Sequence, residues 1–197
     1  MKLLRKVKPM EVKRCFVISD YIAHQKYFKK GVKTTNELEY FKQLVKVKMV
    51  IMKLPEMMLD MIIKGMDVKR FKAYKKMQWY MGIVKTNEVG VWKKAGGLRL
   101  AWTRGSLEET GRLVARALQE KSGQLSRRSR MAIPGILKNS LSIIQKEKYL
   151  LPIILTGSTR ARKGLKKMNG DIDDGCMRSI ALAVSGKKTI KAYIGKK

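Results

Sequence analysis

The sequence predicts an α+β fold, mixed helices and short strands in a single compact domain or two small subdomains. Three observations predict it. Of the 197 residues 45% are hydrophobic, enough to bury a core rather than leave the chain disordered. Some stretches carry apolar residues at helical spacing, as Phe71, Tyr74, Met77 and Met81 do, with Lys69, Lys72 and Lys76 on the opposite side. Others alternate: in Leu44–Met52, Val45, Val47, Met49 and Ile51 share one face of an extended chain and Lys46 and Lys48 the other.

Taken in order, residues 1–14 hold Lys2, Arg5, Lys6, Lys8, Lys13 and Arg14 against Glu11 alone, and read as a mobile or partly extended basic arm. An N-terminal α+β part follows over 15–121. Cys15–Ser19, CFVIS, reads as a short strand, and Asp20–Lys30 as a short helix aligning Tyr21, His24 and Phe28. His24 has no partner that would make it a site and is expected to pack or face solvent. Pro55 ends the Leu44–Met52 strand and opens a helix over Glu56–Lys64. The basic-striped helix runs from Asp67 to Met81, with Trp79 and Tyr80 packing at its end. Leu98–Thr103 alternates as an edge strand, and Trp92 and Trp102 are expected to pack in the core or on the sheet. Ser106-Leu107-Glu108-Glu109 is a capping box, starting a helix to about Lys121 with Glu108–Arg112 and Arg116–Glu120 pairs on its outer face.

A polar, basic linker over 122–133 then separates a C-terminal α/β part, 134–197. Pro134 opens a helix to Lys148, and Leu150–Leu155 is a buried strand that Pro152 would favour at an edge. Cys176–Val184 reads as a helix and Lys187–Ile194 as a strand. Most of the 13 methionines are expected to fill core, as adaptable unbranched side chains do.

The charge is the functional signal. Lys and Arg number 45 against 15 Asp and Glu, a net +30 that a core does not require and that compaction must oppose. A polyanionic partner is therefore expected: nucleic acid, RNA before DNA, with an anionic membrane surface, an acidic protein and self-association as further partners. The groups expected to hold phosphates are Lys69, Lys72 and Lys76; Arg127, Arg128 and Arg130 in the linker; and Arg160, Arg162, Lys163, Lys166 and Lys167 in and just after the Thr156–Gly164 loop. That loop lacks the glycine–lysine spacing of a P-loop. Several dispersed clusters predict extensive, weakly sequence-specific contact by a non-enzymatic structural protein of ribosomal or nucleocapsid type. Small size, basicity and abundant methionine are similar in profile to the matrix proteins of negative-strand RNA viruses, which implies a second reading, a bridge between anionic membrane and ribonucleoprotein.

Two distant cysteines, Cys15 and Cys176, and a single histidine give neither a disulfide framework nor a zinc site. With no secretory leader and no apolar run near 20 residues, an intracellular protein of cytoplasm, nucleus or virion is expected. Asp171, Asp173 and Asp174 form a dense acidic cluster. DIDD resembles the acidic signature of small phage-type Holliday-junction resolvases, with Arg178 matching the basic residue that follows; no side-chain carboxylate follows Asp174, where that family has another aspartate. The resemblance implies a third reading, Mg²⁺-dependent nucleic-acid cleavage. From the residues alone, the aspartates are negative charge placed before the helix Cys176–Val184. On that reading no catalytic residue, metal site or cofactor is assigned.

Overall fold

Residues 1–28, 48–120, 123, 125–134, 151–157 and 163–197 are described by a computed structural model, without the side chains of 21–28. The fold is α+β, as expected. Six strands form one mixed sheet in the order β1 (Lys2–Val7), β2 (Gln78–Lys85), β6 (Thr189–Lys196), β4 (Ile153–Thr156), β5 (Gly170–Asp174) and β3 (Val89–Gly90). The described helices are α1 (Pro9–Phe28), α2 (Glu56–Met66), α3 (Val68–Lys75), α4 (Leu107–Gln119) and α5 (Cys176–Val184), with helical turns also at 48–53 and 127–134. Contacts divide the chain into a first unit, Met1–Arg5 with Tyr80–Ile194, and a second, Lys6–Trp79 with Gly195–Lys197.

In the first unit the sheet carries the core. All four residues of β4 are buried. The strand runs parallel to β6 through Ile153–Ala192, Ile154–Tyr193 and Leu155–Ile194, and antiparallel to β5. An interior position was not expected of a strand next to Pro152. The proline stands one residue before β4, so its missing amide leaves the ladder intact. Helices α4 and α5 meet at Gly111, where a Cβ would come 2.6 Å from the Ala183 Cβ; only a glycine allows this approach. Leu98–Thr103 is not a strand. Positive φ at Lys94, Gly96 and Gly97 winds the chain into two 3-10 turns, Ala95–Gly97 and Leu100–Thr103. The basic stretch 122–133, read as a linker, is helical from 127, and the helix predicted from Pro134 lies outside the described residues beyond 134. Leu125 and Ile133 join the core, and Ser129 Oγ donates to the Gly96 carbonyl. Ile136, Leu137, Leu141 and Ile144, expected to be buried, lie outside the described residues.

In the second unit, CFVIS is helical. Val12, Cys15, Phe16, Val17 and Ile18 are all buried, so the helix is enclosed on several sides here, and that packing overrides the local β-branched run. The segment read as an arm instead forms β1 at one sheet edge and the opening of α1. Residues 48–53 are helical rather than extended and bury only Ile51; 44–47 lie outside the described residues. The helix predicted to reach Met81 stops at Lys75. Its start is fixed by Asp67, whose Oδ1 accepts from the Lys69 and Arg70 amides at 2.9 and 3.0 Å. It ends where Trp79, Tyr80, Ile83 and Val84, good strand formers, enter β2. Tyr74 lies edge-on between Phe16, at 6.0 Å, and Trp79, at 5.0 Å between ring centres. None of the 13 methionines is fully buried and eight are exposed, against the expectation that most would fill core.

Candidate functional site

Helix α4 begins with the predicted capping box closed. The Glu109 amide donates to Ser106 Oγ at 3.2 Å, and the Ser106 amide donates to Glu109 Oε2 at 2.8 Å. The Glu108 amide donates to the Thr86 carbonyl at 3.1 Å. These amides of the first turn thus have partners already, and an anion beside this helix has to be held chiefly by side chains.

Such side chains are present in the first unit. Lys93, Arg104, Arg112 and Lys166 line an open cleft of about 650 Å³ whose apolar parts are Leu100, Trp102, Leu113 and Leu165. A pocket of about 380 Å³ shares Glu109, Arg112 and Lys166 with it and adds Asn87, Ser106, Glu108 and Met168. Lys93 and Arg104 stand near the two ends of the glycine-wound segment, which the Lys94 amide closes by donating to Thr103 Oγ1 at 3.0 Å. Ser126 and Ser129 brace it from the side: a Cβ on Gly97 would come 2.6 Å from Ser126 Oγ. The cleft walls are therefore set by backbone shape as well as by charge.

Two carboxylates reach this surface, and both are engaged. Glu109 closes the cap, and Glu108 pairs with Lys188. Arg112, expected to pair with Glu108, has no ion pair among the described residues. Four cations against two carboxylates thus leave the described lining of this open, partly apolar cleft net positive.

Of the predicted phosphate contacts, Lys166 lies in the cleft and Lys163 and Lys167 are exposed beside it in sequence. Arg127, Arg128 and Arg130 are exposed in the same unit, on the helical residues braced against Gly96–Gly97. Arg160 and Arg162 lie outside the described residues. Lys69, Lys72 and Lys76 are exposed in the second unit. Sequence reasoning missed Lys93, Arg104 and Arg112. A signal existed for the first two, since Trp92–Arg104 holds four cations and no acid. Arg112 had none, because a glutamate at i−4 reads as its partner.

The DIDD residues belong to β5 rather than to a helix N-terminus. Asp171 and Ile172 are buried opposite Thr156 and Leu155 of β4, and a register shift follows, Asp174 standing opposite Ile154. Asp174 lies 3.7 Å from Arg178, whose Nη2 donates to the Pro152 carbonyl at 3.1 Å. Among the described residues no group of three or more His, Cys, Asp or Glu is placed to hold a metal ion. The side chain of His24 lies outside the described residues, and Cys15 and Cys176 are free thiols. Trp79 packs, as expected, and the partly buried Trp102 packs against the core, as expected, whereas Trp92 is exposed. No described helix is long and apolar enough to cross a membrane. No protein-family model, no curated protein and no solved structure matches the chain.

Proposed function

We propose that this is a non-enzymatic, structural nucleic-acid-binding protein of ribosomal or nucleocapsid type, acting on RNA in cytoplasm, nucleus or virion. Its phosphate contacts are spread over several surfaces, and the cleft of the first unit is the most developed. One observation carries the reading: Lys93, Arg104, Arg112 and Lys166 converge where the neighbouring glutamates are already engaged. Guanidinium and ammonium groups suit phosphate oxygens, and the partly exposed Trp102 offers a ring against which a base can stack. The contacts are to backbone, so affinity depends on salt more than on sequence.

The test is fluorescence anisotropy of a labelled single-stranded RNA, and of a DNA duplex, across a salt series. The unmodified chain should show a log–log salt slope of several units for RNA, about −0.7 per phosphate neutralised. The double variant Arg112→Gln, Lys166→Gln should weaken binding on all sequences alike and flatten that slope by about one contact per cation removed. An unchanged slope would show that this cleft does not hold the polymer, and absence of RNA binding at low salt would end the proposal.

A further inference from the structure

Helix α2 is apolar on two sides, and among the described residues of its unit only one of them has a partner. Leu59 and Ile63 are fully buried, whereas Met57 and Met61 are 69% and 62% exposed and Met58 is exposed beside them. The residues just before repeat the pattern: 48–53 bury Ile51 alone and leave Met49, Val50 and Met52 exposed. Six of the 13 methionines thus lie between 49 and 66, and all six are exposed. An exposed apolar face of this extent calls for an apolar environment that the described residues of the unit do not provide.

Charge identifies the environment. The acids of this stretch are engaged: Glu56, half-exposed, and Asp60 both meet Lys13, and Asp67 caps α3. Lys48, Lys53 and Lys64 are exposed and have no ion pair among the described residues. Lys53 follows Met49 by four residues and Lys64 follows Met61 by three, which puts each ammonium on the side of its methionine. A second copy of the chain would oppose like charges across such a face. A folded protein partner needs shape complementarity, which long thioether side chains standing clear of the surface do not offer in advance. An anionic bilayer requires only that apolar groups enter the acyl boundary while lysines reach the headgroups.

We infer that the 48–66 face of the second unit is a peripheral docking surface for an anionic phospholipid membrane, independent of the RNA-binding cleft. The experiment sediments the full chain, free of RNA, with phosphatidylcholine vesicles with and without phosphatidylserine. Retention only on the phosphatidylserine vesicles is expected, with Met57→Asp, Met61→Asp weakening it about tenfold or more and Met57→Leu, Met61→Leu preserving it. Lys53→Gln, Lys64→Gln should also weaken it, whereas the cleft variant Arg112→Gln, Lys166→Gln should bind vesicles as the unmodified chain does. Circular dichroism of each variant checks that it is folded. Undiminished binding by the methionine-to-aspartate variant would reduce the contact to unspecific charge and overturn the inference. So would binding to polyglutamate but not to vesicles, which would point to an acidic protein instead.

Discussion

Lys13 shows how far one residue's role can lie from its surroundings in sequence. It sits among the N-terminal cations and reads as one more phosphate contact, yet its side chain is only 4% exposed and its ammonium lies 2.7 Å from Glu56 and 2.5 Å from Asp60. Both partners are more than forty residues away, so no local pattern announces the pair. Burial works against the charge, and the two carboxylates outweigh it, holding the Lys13 pKa above the ordinary lysine value. With the folded pKa raised, the stabilisation is whole below the unfolded value, about 10.4, and is lost as pH rises through the higher folded one. Lys13→Ala should therefore cost about 1–3 kcal/mol at neutral pH, the lower end reflecting the half-exposed Glu56. The difference between the two proteins in urea denaturation should shrink at strongly alkaline pH, and a difference constant to that point would exclude the ion pair as its cause. The Gly111 position makes the complementary case. Gly111→Ala should destabilise the chain by about 1–3 kcal/mol through the Ala183 clash, read as a lower urea midpoint.

At the scale of elements, legibility followed how local the deciding contacts are. Helix α4 was readable because its start is chemically self-contained: Ser106 and Glu109 satisfy each other three residues apart. Ser106→Ala should consequently cost about 1 kcal/mol, measurable as a lower unfolding midpoint, and Ser106→Asp should recover much of it. If alanine has no effect, the Glu109 arm alone fixes the cap. Helix α5 and strand β6 were readable for the same reason, an apolar period bounded by glycine on both sides of α5. Where distant partners decide, the sequence misled. Met77 and Met81 continue the helical spacing of α3, but Trp79 is drawn into the ring stack with Tyr74 and the chain turns extended. Leu98–Thr103 alternates like a strand, but the left-handed residues before it and the serines bracing it wind it up. Alternation of lysine with valine and methionine is equally weak evidence where Ile51 alone is buried, because lysine and methionine are good helix formers.

For the whole molecule, composition motivates the proposed class of partner but says little of where it would bind. The +30 charge pointed to a polyanion, yet runs of Lys and Arg located only part of the surface, because Lys93, Arg104 and Arg112 are scattered in sequence and gathered by the glycine-wound segment and α4. The same charge bears on stability. With 45 cations and 15 acids, repulsion that salt would screen opposes compaction, while the Lys13 ion pair, whose ammonium is buried, is screened less. Raising sodium chloride should thus raise the unfolding temperature, the reverse of its effect on a fold held by exposed ion pairs. A short RNA added at low salt should raise it further, because a ligand that favours the folded chain stabilises it in proportion to the logarithm of its concentration over the dissociation constant. The two effects should not add. In high salt the RNA increment should disappear while the salt increment stays. Differential scanning calorimetry over a grid of salt and RNA concentrations separates them. An RNA increment that survives high salt would mean recognition by contacts other than phosphates, and a midpoint that falls with salt would mean that the cations are already neutralised within the fold.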